Sequence, residues 1–187
     1  MAIKIVIDPG HNPQGINAGA EGFGYREQDL VYEVAQRLAT LLRENGNFEV
    51  RLTRTTPTQV LGTSNATSLQ ERVRIANSWP ADYFISIHAN ASVNPEANGA
   101  EVYTYADSGP AHELAVSIQQ ALVEEMDMKD LGVKTNPSLY VLRRTSMPAV
   151  LVELGFITNE QDVQKLANDP DGFAQALYNG ILRYFGL

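Results

Sequence analysis

Residues Ile3–Asp8 read IKIVID and run directly into Pro9-Gly10-His11. A short apolar run that stops at a turn and a histidine is the mark of a buried strand whose carboxyl end opens into a loop. Two other runs end in a similar way. Tyr83–Ile87 (YFISI) ends at His88-Ala89-Asn90, and Ala149–Val152 (AVLV) ends at Glu153-Leu154-Gly155. The chain has only three histidines, and two of them stand at these ends. Open α/β sheets build their sites at the carboxyl ends of strands.

Working outward, the apolar or alternating runs Ile3–Ile7, Phe48–Thr53, Tyr83–Ile87, Ala100–Tyr105, Leu139–Leu142 and Ala149–Leu154 predict six strands. Helical periodicity lies between them. Leu30, Val31, Val34, Leu38, Leu41 and Leu42 make one apolar face, and Asn45-Gly46 stops that helix. Ser68 and Glu71 read as a capping box for a short helix through Ala76. A third helix starts near Pro110, and Asn159–Leu166 is a short fourth. Asp169-Pro170 reads as an N-cap with proline at the first helical position, opening the last helix. Asn12–Gly24 and Thr55–Thr67 read as loops. Strands alternating with helices predict one α/β domain over residues 1–187. Its twisted, mostly parallel six-stranded sheet should carry helices on both faces.

Composition bounds the function. The 187 residues carry a net charge of −8, with a pI near 4.8. That balance argues against nucleic acid, which is held mainly by Lys and Arg on phosphates. The chain has no cysteine, so disulfides, thiolate metal sites and a Cys nucleophile are excluded. No apolar run approaches the ~20 residues of a membrane span. Lys4 and Asp8 interrupt the first apolar stretch, so no signal peptide is visible.

Zinc hydrolase sites commonly use three protein ligands and leave one position open. His11 and His88 are two candidates. The third could be Glu21, Glu27 or Asp29, all in or after the loop that follows His11. Glu27 is attractive because it starts the first helix beside the end of the first strand. Glu153, between Val152 and Leu154, suits a general base and acid. Each residue also has an ordinary explanation. A histidine after a strand is often structural, Glu27 could complement a helix dipole, and Glu153 could form a salt bridge with an arginine. Asp8 fixes the Pro9-Gly10 turn or stands behind His11. His112 reads as solvent-facing, and Val116 occupies the place of a second zincin histidine. No phosphate-binding glycine motif and no GxSxG elbow occurs.

Six blocks then follow in order: IVIDPGH, REQDLVYEVA, SLQERVRIAN, FISIHANAS, GAEVY and LYVLRRTSMPAVLVELGFITN. Together they resemble the zinc-dependent N-acetylmuramoyl-L-alanine amidases of the type-3 family, over essentially the whole chain. The resemblance implies that His11, Glu27 and His88 bind one Zn2+ ion and that Glu153 is the catalytic carboxylate. It implies a peptidoglycan hydrolase, of autolysin or endolysin type, acting outside the cell or in its envelope. The bond cut would be the amide between the lactyl group of N-acetylmuramic acid and L-alanine of the stem peptide. Zinc-activated water would attack, with Glu153 as base. A zinc exopeptidase on free peptides and a non-catalytic wall-binding module of the same fold are the alternatives. Some relatives carry an inhibitory helical insertion. Here only about 50 residues separate Asn90 from Leu139, which predicts a site open without an activator.

Overall fold

A computed structural model describes residues 2–187. Its central sheet has the strand order β4-β1-β5-β8-β6-β7. The strands are β1 (Ile3–Pro9), β4 (Phe48–Leu52), β5 (Tyr83–Asn90), β6 (Ala100–Thr104), β7 (Asp130–Thr135) and β8 (Ala149–Phe156). A two-residue hairpin, β2 (Glu21–Gly22) with β3 (Tyr25–Arg26), stands apart in the loop after β1. β4, β1, β5 and β8 run parallel; β6 is antiparallel to β8 and parallel to β7. The expected fold class, a six-stranded mostly parallel sheet between helices, is the one observed.

The side chains of β1 alternate between two cores, as a period of two requires. Ile5 and Ile7 face one cluster and Val6 the other. The larger cluster packs the sheet against α1 (Glu27–Asn45), α3 (Pro110–Met126) and α6 (Pro170–Phe185), through residues such as Leu38, Ile118 and Leu177. The smaller packs Val6, Phe84 and Leu151 against α2 (Asn65–Ser78) and α4 (Tyr140–Arg144), through Val73, Val141 and Leu142. α5 (Glu160–Asn168) leads into α6, with Asn159 capping α5 and Asp169 capping α6. No helix among the described residues is long and apolar enough to cross a membrane.

Three expectations are corrected. Leu139–Leu142 is not a strand; Tyr140–Arg144 forms α4, which lays Val141 and Leu142 on the sheet. Four consecutive apolar residues fit a buried strand and a short buried helical turn equally well. The sixth strand is β7, an edge strand whose residues are half-buried or exposed, so it carries no apolar run. The cap of α2 is Ser64, whose Oγ accepts from Thr67 N at 3.1 Å, not Ser68. Ser68 is buried inside the helix. The helix therefore starts a turn earlier than expected and runs to Ser78.

Candidate metal centre

β1 and β5 are neighbours, so their carboxyl ends lie side by side. His11 follows β1 in the left-handed region, at φ 63°. Its Nδ1 donates to Asn17 O at 3.2 Å. A carbonyl only accepts, so Nδ1 carries a proton, and Nε2 is the nitrogen left to face a metal. Asn17 is itself fixed, its N–H on Asn65 Oδ1 at 2.6 Å and its side chain on Ser68 Oγ at 3.0 Å.

Glu27 is the first residue of α1, immediately after β3. Its N–H donates to Ala20 O at 2.9 Å, and Ala20 N donates back to Glu27 Oε2 at 3.0 Å. This reciprocal pair, set by the hairpin, points the buried carboxylate at the strand ends. Oε1 accepts from Ala89 N at 3.1 Å and lies 3.0 Å from both His11 Nε2 and His88 Nδ1. Burial pushes the Glu27 carboxyl up, but hydrogen bonds and charge from the two imidazoles outweigh it. They hold the group well below the usual carboxylate range.

Ligating atoms of His11, Glu27 and His88 all lie within 4.8 Å of one another. Two imidazoles and a carboxylate are the donor set that zinc accepts, and the Nδ1–H bond of His11 orients its ring as in metal sites. The residues present thus fit a single zinc ion. Of the three carboxylates open to spacing, the structure brings Glu27 here. Glu21 is exposed on the hairpin, and Asp29 bonds Arg26 Nε at 2.7 Å.

Two glycines make the packing of these side chains feasible. A Cβ on Gly10 would stand 2.4–2.7 Å from three atoms of the His88 ring, and one on Gly19 would stand 2.7 Å from Glu27 Oε2. At these two positions only a residue without a Cβ lets the His88 ring and the Glu27 carboxylate sit where they do.

Glu153 lies in register with His88 on β5 and with Glu101 on β6. Registered residues share a face, so the three form a row across three strands. Glu153 Oε2 is buried and has no hydrogen-bond partner among the described residues. Among the described residues no arginine or lysine lies at ion-pair distance, so the ordinary salt-bridge explanation is absent. Burial, then the charges of Glu27 and Glu101, push its pKa well above the usual carboxylate value. An apolar-sided cavity of about 140 Å³ opens beside the two imidazoles, walled by Leu69, Leu139, Tyr140 and Leu151.

Asp8 does both of the things expected of it. It is buried and accepts from Thr53 Oγ1 at 2.5 Å, Ser86 Oγ at 2.7 Å and Arg72 Nη1 at 2.6 Å. Arg72 also holds Pro9 O at 2.8 Å and His11 O at 2.6 Å. The Asp8–Arg72 pair thereby fixes the turn and the backbone of His11.

Sequence reasoning passed over Arg72, Asn17 and Glu101. Glu101 is buried and accepts from Asn90 Nδ2 at 2.8 Å and Tyr103 OH at 2.7 Å, and it pairs with Lys134. Its signal was a charged residue one step from buried Ala100 and Val102, which reads as a solvent-facing strand position. His112 is a correction: it is half-buried, its Nδ1 is buried without a partner among the described residues, and it lies outside the metal-competent cluster.

Comparison with known proteins follows the same line. A family model described as N-acetylmuramoyl-L-alanine amidase matches residues 5–183. The chain is 41% identical over 187 residues to N-acetylmuramoyl-L-alanine amidase LytC of Bacillus subtilis (strain 168), covering 97% of this chain and 35% of that protein. It is 38% identical to N-acetylmuramoyl-L-alanine amidase CwlM of Bacillus licheniformis, covering 99% of this chain and 70% of the relative. A crystal structure of N-acetylmuramoyl-L-alanine amidase from Clostridium difficile 630 superposes with a TM-score of 0.88 at 33% identity, covering 99% of this chain and 97% of that one. The chain thus spans about a third of the length of LytC.

Proposed function

We propose, from the premise that this chain belongs to the type-3 family of N-acetylmuramoyl-L-alanine amidases, that residues 1–187 form a zinc-dependent catalytic domain acting on peptidoglycan in the cell envelope. The bond hydrolysed is the amide between the lactyl group of N-acetylmuramic acid and L-alanine. His11 through Nε2, Glu27 and His88 through Nδ1 would hold one zinc ion. Such an ion supplies a Lewis acid for the amide carbonyl and a lowered pKa for a water molecule.

Glu153 does the proton work. It takes a proton from the water that attacks the carbonyl carbon, and then delivers it to the alanine nitrogen as the C–N bond breaks. The observation that carries this reading is the free Oε2 of Glu153, buried and in register with His88. A buried carboxyl with raised proton affinity is suited to holding a proton between two steps. The stretch between Asn90 and α4 holds only β6, α3 and β7. That supports a site open without an activator.

The deciding experiment is mass spectrometry of digested peptidoglycan, with metal content measured on the same sample. An amidase leaves glycan intact and releases stem peptides with a new alanine amino group. Release of terminal residues from free peptides instead would identify an exopeptidase. Bound zinc without any product would identify a non-catalytic wall-binding module.

A further inference from the structure

The molecule buries a second guanidinium beside the one on Arg72, and among the described residues no acid forms an ion pair with it. Arg54, two residues past β4, is fully buried. The carboxylate whose charge acts on it most, Asp8, is already engaged by Arg72. Its terminal nitrogens donate to backbone carbonyls instead, Nη2 to Gln28 O at 3.0 Å and Gly10 O at 3.5 Å and Nη1 to Pro57 O at 3.4 Å, while Nε is buried with no partner among the described residues. Its guanidinium stands 5.0 Å over the Tyr32 ring. Burial, then the charge of Arg72, lowers its pKa to about 10, so it remains a cation at neutral pH.

A buried cation without a partner acid is costly, and a well-packed apolar residue is usually the more stable choice. The carbonyls it grips indicate what the cation does. Gly10 precedes His11, and Gln28 follows Glu27. Arg72 holds the carbonyls on either side of Gly10, at Pro9 and His11. Three successive carbonyls of the β1 loop are thus held by guanidinium groups, and of the two arginines only Arg54 crosses to α1. The loop needs holding, because His11 sits at a φ of 63°, which residues with a Cβ rarely adopt.

We propose that Arg54 is a positioning residue of the metal centre: by bridging the carbonyls of Gly10 and Gln28 it sets the separation of His11 from Glu27 before a metal arrives. This rests on the reading of His11, Glu27 and His88 as a metal triad. The variants are Arg54→Met, which removes the cation, and Arg54→Lys, which keeps a cation over Tyr32 but ends one bond short of the Nη2 that donates to both carbonyls. Zinc affinity is measured by competition with a chromophoric chelator, and urea midpoints are measured on the metal-free chains.

Arg54→Met should bind zinc about 10–100-fold more weakly than the parent, the usual effect of losing a group that orients a ligand. Arg54→Lys should fall in the same range, and it carries the test if Arg54→Met does not fold. A strut that merely stabilises the fold would lower the urea midpoint and leave the zinc affinity of the folded chain unchanged. Parent-like affinity in a folded Arg54→Lys chain therefore overturns the proposal while leaving the metal reading intact. A parent chain that binds no zinc, or binds it equally well as His88→Ala, removes the metal reading and this inference with it.

Discussion

Glu153 stands opposite His88 in the β5–β8 ladder, and its buried Oε2 has no hydrogen-bond partner among the described residues. A protein seldom leaves a carboxylate oxygen in that state without a use for it. Glu153→Gln keeps the shape and removes the proton-carrying group. Activity on purified peptidoglycan should fall by roughly 10²–10⁴-fold, with zinc content unchanged. Loss of zinc together with activity would instead make Glu153 part of the metal's holding set.

Removal of the metal tests the triad. Dialysis against a chelator should abolish activity, and stoichiometric zinc should restore it. Because a metal that binds only the folded chain stabilises it by mass action, the thermal midpoint should drop on chelation and recover on reloading. His88→Ala should show the lower midpoint with or without added zinc. An unchanged midpoint in the parent on chelation would count against a metal bound at His11, Glu27 and His88.

Asp8 and Arg72 form a buried pair, and breaking one side leaves a buried charge uncompensated. Asp8→Asn should cost about 3–5 kcal/mol in urea unfolding. The pH dependence has a definite sign. Burial would raise the Asp8 pKa, but the charge of Arg72 and the hydrogen bonds from Thr53 and Ser86 outweigh it, leaving it below the ordinary 3.8. A depressed folded value means the contribution is fully present above the unfolded value. It fades as pH falls through the folded one. The parent should therefore lose stability below about pH 4 more steeply than Asp8→Asn, measured as urea midpoints across pH 2–6.

Gly10→Ala is a one-carbon probe of the site. The new methyl would fall 2.4–2.7 Å from His88 ring atoms, so either the ring or the loop must move. Overpacking of this kind costs about 1–3 kcal/mol. The larger effect should be on zinc, with affinity down by about 10-fold or more. A folded Gly10→Ala chain with parent zinc affinity would mean that the His88 ring can shift aside freely.

How much of this was legible in the sequence depends on distance along the chain. β1, β5 and β8 are buried on both faces, so their residues form apolar runs, and the chemical groups at their ends stand out from the residue order alone. The third ligand candidate could not be chosen from spacing, because Glu21, Glu27 and Asp29 share one short stretch. The hairpin and the Ala20–Glu27 hydrogen bonds bring Glu27 in, and two-residue strands leave no periodic trace. β7 was hidden for the opposite reason, being an exposed edge with few apolar residues. Arg72 and Glu101 were invisible as site residues because their meaning lies in partners far off in sequence: Arg72 bonds a carboxylate 64 positions away. Burial that makes such pairs matter is a property of the packed chain.

The reversed direction of β6 has a practical reach. It enters the sheet at the pole where Glu101 meets Glu153 and leaves where Thr104 meets Val150. Three residues of strand at about 3.3 Å each carry the chain roughly 10 Å away from the row of His88, Glu153 and Glu101. Residues 105–109 turn there, every one exposed. This turn is the attachment point the fold offers: a fluorophore, a tether or a grafted wall-binding peptide joined there leaves the working pole of the sheet clear.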